Sequence, residues 1–263
     1  MPTNKKSHIS SSMFLKLHLC FTRTLFLVAI VFGGNCVAST SKLQVVTELS
    51  PPYQTLLNNE VSGSATKLVR TLLSKSGLSA TISMYPWARA YQKAISEPNT
   101  LIYSIAKSDK REALFHWLLP VARYKFGLVA LNDRQDLLNI TLSEVQNFTL
   151  AVQRNDIAHE WALDRGLEEG KQLIICSDIG CSWKLLLNKK VDFIVESPEL
   201  IEGMLIQYKL DTATAKHVVA IPELEVTGYL AANVDIEPEI LKELQLTIKK
   251  YSSQLVAGNI KGR

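Results

Sequence analysis

Met84-Tyr85-Pro86-Trp87-Ala88-Arg89-Ala90-Tyr91, then Leu101-Ile102-Tyr103-Ser104-Ile105-Ala106-Lys107-Ser108-Asp109-Lys110-Arg111-Glu112, then Phe115-His116-Trp117, is the run whose reading decides the fold. Pro86 opens a helix, because its missing N–H is one of the donors a first turn leaves unpaired in any case. That helix puts Trp87, Ala90, Tyr91 and Ala94 on one side and projects Arg89 from its first turn. A strand precedes it, Leu78–Met84. Another, Thr100–Ile105, follows the turn at Glu97-Pro98-Asn99. Aromatic faces beside guanidinium groups suit a pocket for a small, partly charged ligand. A core aromatic cluster with surface arginines uses the same residue types, so the choice rests on the rest of the chain.

Working outward towards the N-terminus, Leu43–Thr47 alternates as a strand and Pro51-Pro52-Tyr53 breaks it into a loop. Ala65–Ser76 carries Leu68, Val69, Leu72 and Leu73 at helical spacing, with Ser64 as N-cap and Gly77 at its end. The order is β-α-β-α-β, the pattern of an open, largely parallel sheet covered by helices. Ligands of such sheets sit beyond the carboxyl ends of the strands. Three loops lie there, Ser50–Tyr53, Tyr85–Arg89 and Ser104–Arg111, so two of the three come from the opening run.

Towards the C-terminus a second β/α set follows the strand Lys125–Leu131. It reads strand Phe148–Val152, helix Ile157–Arg165, strand Gln172–Cys176, helix Cys181–Leu187, strand Val191–Val195 and helix Pro198–Tyr208. Val218-Val219 and Val226–Ala232 add strand character, and Glu237–Tyr251 has an amphipathic helical face. Trp161 and Trp183 sit on helix faces as core residues.

The first residues read as an export signal. Lys5, Lys6, Lys16 and Arg23 precede the apolar run Leu25–Phe32, and small residues lead to Ala38, where cleavage is expected. The run is shorter than the roughly 20 residues that span a bilayer, so stable membrane insertion after cleavage is not expected. Of 29 basic residues, these four leave with the signal and no acidic residue does, so 25 of each remain. The net charge of +4 therefore belongs to the signal, and no basic surface for nucleic acid is left. Cys20 and Cys36 leave as well. Cys176 and Cys181 remain, flanking a turn that contains Gly180, and in an oxidising compartment this pair reads as a disulfide. The histidines show no ligand spacing beside it, so neither a metal nor a cofactor is implied.

Pro51-Pro52-Tyr53, Tyr85–Ala90, Ser108–Glu112 with Phe115-His116-Trp117, and Lys190–Glu196 together resemble the periplasmic solute-binding proteins of the type II fold. The likeness is to the amino-acid-binding (family 3) group linked to ABC transporters, in a subgroup with a Pro-Trp-x-Arg-Ala element. The resemblance implies two Rossmann-like α/β lobes joined by a two-strand hinge. Lobe 1 would comprise residues 39–131 plus 228–263 and lobe 2 residues 132–227, with crossings near Ala130–Asp133 and Thr227–Ala231. It implies a monomer in the periplasm that hands an amino-acid-like solute to an ABC permease. By the same resemblance Arg111 clamps a ligand carboxylate, Ser108 adds a hydroxyl or N–H, Glu196 accepts an ammonium, and Tyr53, Trp87 and Arg89 line the cleft.

The loop Gln153–Asp156 lacks the glycine and hydroxyl residue usual in that family. Each site residue also has a plainer reading: Arg111 in ion pairs with Asp109 or Glu112, Arg89 on the surface, Trp87 in the core, Glu196 as an acid at a helix N-terminus. No Gly-x-Ser-x-Gly, His-Glu-x-x-His, P-loop or Gly-x-Gly-x-x-Gly occurs, so an enzyme is not expected. The alternatives are a dehydratase-like cleft enzyme that uses Glu196, or a ligand sensor for a membrane partner.

Overall fold

The computed structural model describes residue 1 and residues 42–260, of which residues 42–260 belong to one compact unit. The signal expected over residues 1–38, with Cys20 and Cys36, lies outside the described residues apart from Met1.

One eight-stranded sheet runs through the unit, with two parallel triplets at its ends. In the first, β1 (Gln44–Thr47) pairs with β4 (Thr81–Met84) and β5 (Thr100–Ala106). In the second, β7 (Leu150–Gln153) pairs with β8 (Leu173–Cys176) and β9 (Phe193–Glu196). Two long antiparallel strands, β6 (Phe115–Leu131) and β10 (Ala215–Asn233), join them, β10 lying on β5 and β6 on β9. The order β4-β1-β5-β10-β6-β9-β7-β8 is that of two α/β lobes sharing two connecting strands.

The period of two along each strand gives each lobe a core on both faces. In the first lobe, Val45, Leu101 and Leu230 face α1 (Ser64–Ser76) and α7 (Pro238–Ile260). Their neighbours Val46, Ile102 and Ala231 face α2 (Trp87–Ser96). In the second lobe, Leu128, Val152 and Phe193 pack with Trp161 of α4 (Ile157–Asp164). Val129, Ala151 and Ile194 pack with Trp183 of α5 (Ile179–Leu187) and with α6 (Pro198–Gln207). The short α3 spans Asp109–Glu112.

Four local expectations are corrected. Ser64 is not the N-cap of α1: Gly63 holds that position at φ 105°, and a Cβ there would meet the Tyr53 carbonyl oxygen at 2.3 Å. The chain needs a backbone that only glycine adopts freely there. Gly180 does not make a turn between the cysteines but lies in the first turn of α5, whose N-cap Asp178 accepts from Cys181 N–H at 2.7 Å. The strands expected at Lys125–Leu131 and Val226–Ala232 are the C-terminal parts of far longer ones. Pro120 and Pro222 obscure this in the sequence. They are accommodated at register shifts, one between Gly228 and Tyr229 and one between Ala220 and Glu225, where ladder hydrogen bonds are not required. Finally, the loop after Pro52 contains a hairpin, β2 (Thr55–Leu57) and β3 (Glu60–Ser62), turned by Asn58 and Asn59, both at positive φ.

Candidate functional site

The carboxyl ends of the parallel strands from both lobes meet around a cavity of about 40 Å³. From the first lobe come Glu48 and Ser50 just past β1, Ser104 and Ala106 of β5, and Trp87 at the start of α2. The second lobe supplies Gln153 at the end of β7, Asp156 and Ile157 at the start of α4, Ile179 and Glu196. Tyr124 and Phe126 of β6, stacked at 5.1 Å between ring centroids, form a wall where the lobes join.

Ser104 is aimed at the cavity by a bulge. It sits at φ 66° and is skipped in the pairing of β5 with β10, and its hydroxyl accepts from the Gln54 side-chain amide. A non-glycine residue in that conformation is strained, and such strain gathers at functional sites.

The cavity is acidic and carries unmet polar groups. Glu196 is 3 % exposed; one oxygen accepts from Ser197 N–H at 3.0 Å and the other from Trp183 Nε1–H at 3.4 Å. Burial, opposed by those two donors, pushes its carboxyl up to about 8. Glu48 is half-buried, but its Oε2 is enclosed and has no hydrogen-bond partner among the described residues. Burial and the nearby Asp156 and Glu196 raise its carboxyl well above the ordinary range, against a hydrogen bond from the Gln153 side chain. Asp156 is raised too, by burial first, with Arg111 acting against it. Gln153 Oε1 and Trp87 Nε1, on side chains 7 % and 3 % exposed, likewise have no partner among the described residues.

The lobes are closed on one another. Ala88 N–H donates to the Ser177 carbonyl at 3.2 Å, and Lys125 N–H to Ser197 Oγ at 2.9 Å. Gly203 of α6 lies so near Pro51 that an added Cβ would meet it at 3.0 Å. The strongest tie is Arg111, 1 % exposed. It donates to the Ala106 carbonyl at 3.0 Å within its own lobe and to the Asn155 carbonyl at 2.8 Å across the cleft. It also pairs with Glu160 at 3.2 Å, and its guanidinium carbon lies 5.5 Å from the ring centroids of both Trp87 and Tyr91.

Of the residues singled out in the sequence, Trp87 and Glu196 line the cavity from opposite lobes. Tyr53 stands behind Tyr124, edge-on at 5.3 Å, with its hydroxyl on the Arg123 carbonyl at 3.1 Å. Arg89 is exposed and lies over Tyr85. Ser108 precedes α3 with its Oγ buried and no partner among the described residues. The Cys176–Cys181 disulfide is present, with Cα atoms 5.6 Å apart, and ties the end of β8 to the first turn of α5. Glu48 is missed by the sequence reading, and Gln153 and Asp156 enter it only as ends of an atypical loop. The available signal was positional, since each lies at or within three residues of the carboxyl end of a parallel strand.

No protein-family model and no curated protein matches the sequence. Solved structures match its fold. A histidine kinase sensor domain similar to periplasmic binding proteins matches with a TM-score of 0.70 at 19 % identity, over 85 % of this chain and 96 % of that one. An amino acid ABC transporter substrate-binding protein of Streptococcus pneumoniae, bound to L-arginine, gives 0.64 at 17 %, over 84 % and 93 %. A periplasmic binding protein of an arginine transport system from Legionella pneumophila gives 0.66 at 16 %, over 83 % and 99 %. The chain has the two-lobed fold of these binding proteins.

Proposed function

We propose that this chain is a periplasmic solute-binding protein that closes its two lobes on a small polar ligand and presents the closed form to an ABC permease. The carrying observation is the cavity at the lobe junction, lined from both sides by strand ends and holding buried polar groups with no partner among the described residues. A site divided in this way makes ligand contacts available only in the closed state, which is how a ligand biases a hinge. The amino-acid-binding proteins of the same fold support this reading. So does the disulfide, which suits an exported chain. Among the described residues no helix is long and apolar enough to cross a membrane. Trp87 and Glu196 are the expected ligand contacts, with Tyr53 and Ser108 supporting them from behind.

The lobe crossings lie, in this proposal, where pairing changes partner. On β10 this is between Ala220 and Gly228; on β6 it is just before Gly127, where pairing with β9 begins.

A thermal-shift screen of amines, amino acids, amides, carboxylates and sugars tests the function. A ligand at 100 times its Kd adds about 2.7 kcal/mol, or roughly 5–11 °C for a chain of this size. No shift with any solute class refutes the proposal. Recovery of the bound solute unchanged separates binding from chemistry at Glu196.

A further inference from the structure

Two helix N-termini at the cleft already carry the protein's own acids. Asp156 at the start of α4 accepts from Ile157 N–H at 2.6 Å, Asp178 at the start of α5 accepts from Cys181 N–H, and Glu196 before α6 accepts from Ser197 N–H. Helix N-termini are the usual seats for a ligand carboxylate, and those of α4 and α5 are filled by Asp156 and Asp178. Arg111 commits its two terminal nitrogens to two carbonyls and Glu160; its buried Nε has no partner among the described residues, and the residue is not in the cavity wall.

What faces the cavity is the opposite charge. Among the described residues its lining holds Glu48, Asp156 and Glu196 and no lysine, arginine or histidine. Gln153 Oε1, nine-tenths buried and without a partner, adds an unmet acceptor. No group of three or more acidic, histidine or cysteine side chains among the described residues is arranged to hold a metal ion. The rest of the wall includes the rings of Trp87, Tyr124 and Phe126, which suit an organic cation through its alkyl chain and through cation–π attraction.

We infer that the cleft takes a small organic cation without a carboxylate, an aliphatic amine or guanidine, whose charge meets Glu48, Glu196 and Gln153 and whose chain meets the three rings. This rests on the solute-binding reading and names its ligand class. With the lobes as they stand, a cavity of about 40 Å³ has room for roughly three water-sized groups. That admits an ammonium with one or two methylenes; longer amines need a wider cleft. Because Glu48 and Glu196 hold protons when buried beside Asp156, with Asp178 and Glu199 also near, a bound cation favours their ionisation. Binding therefore releases protons.

Matched pairs that fit the cavity test this by titration calorimetry on the mature chain: glycine against methylammonium, alanine against ethylammonium, with agmatine, 1,5-diaminopentane, glutamine and glutarate alongside. The decarboxylated partner is expected to bind about 100-fold tighter, since the carboxylate would face Glu48, Asp156 and Glu196 in a lining that holds no lysine, arginine or histidine among the described residues. Titrations at pH 7 in phosphate and in Tris should differ in heat, which reports release of about one proton. Glu48→Gln and Glu196→Gln should each weaken amine binding by about 10- to 100-fold. Neither should lower the melting temperature of the free protein at pH 7; if one variant fails to fold, the other decides. Amino acids that bind as well as their amines, or glutamine or glutarate binding while amines do not, overturn the cation assignment and leave the solute-binding reading standing. If no solute binds, both fall.

Discussion

Replacing Arg111 by alanine separates two accounts of this residue that predict opposite results. If its guanidinium clamps a ligand, the unliganded protein loses little when it is removed. In the structure it holds the lobes together instead, with hydrogen bonds at 3.0 and 2.8 Å to carbonyls of both lobes, an ion pair at 3.2 Å, and almost no exposure. Breaking a buried ion pair from one side costs about 3–5 kcal/mol, because the groups left behind stay desolvated. For a domain of 150–250 residues each kcal/mol moves the melting temperature by about 2–4 °C, so Arg111→Ala should lower it by roughly 6–20 °C without ligand. Circular dichroism melts, with urea midpoints beside them, measure this. Arg111→Lys keeps the charge but not the fork that reaches both carbonyls, and should fall between alanine and the parent. Exposed Arg89→Ala is the control, expected within about 0.5 kcal/mol of the parent. A fall of less than about 2 °C for Arg111→Ala would refute the interlobe role and return the residue to the ligand.

The free protein should lose stability as pH rises from about 4.5 to 8. Over that window buried Glu196, with its folded pKa raised to about 8, keeps a proton that the unfolded chain has released, so ionisation favours unfolding. The loss is up to about 5 kcal/mol from this group. Asp156 and Glu48, also raised, act in the same direction. Urea midpoints across this range check it, and Glu196→Gln should flatten the slope. Gly63→Ala should destabilise by about 2 kcal/mol or more, because the positive φ and the Cβ approach to the Tyr53 carbonyl are both unfavourable. A melting temperature unchanged by that substitution would show that the loop moves aside freely.

Much of the chain's order was legible because it rests on local rules. The β/α alternation follows from apolar periodicity; Gly77 ends α1 in the left-handed conformation that suits glycine; Trp161 and Trp183 are core. The long strands were legible only in part. Only the C-terminal parts of both strands have a clear strand pattern, while Pro120 and Pro222 lie within them at register shifts of the ladder. The Asn58-Asn59 hairpin gives little sequence signal, since neither flanking strand exceeds three residues.

The sequence alone determined the kind of architecture, because hydrophobic period and turn chemistry act within a few residues of each position. It also marked Trp87 and Glu196, which fall at the ends of elements where a cleft forms. The tertiary structure decided what each charge faces. Arg111 in the sequence has Asp109 and Glu112 beside it, yet in the fold it reaches Asn155 and Glu160 across the cleft. Glu48, Asp156 and Glu196 are widely separated along the chain and come together around one cavity only in the fold. Desolvation and Coulomb interaction depend on distance through space and on access to water, and neither is written in the order of residues.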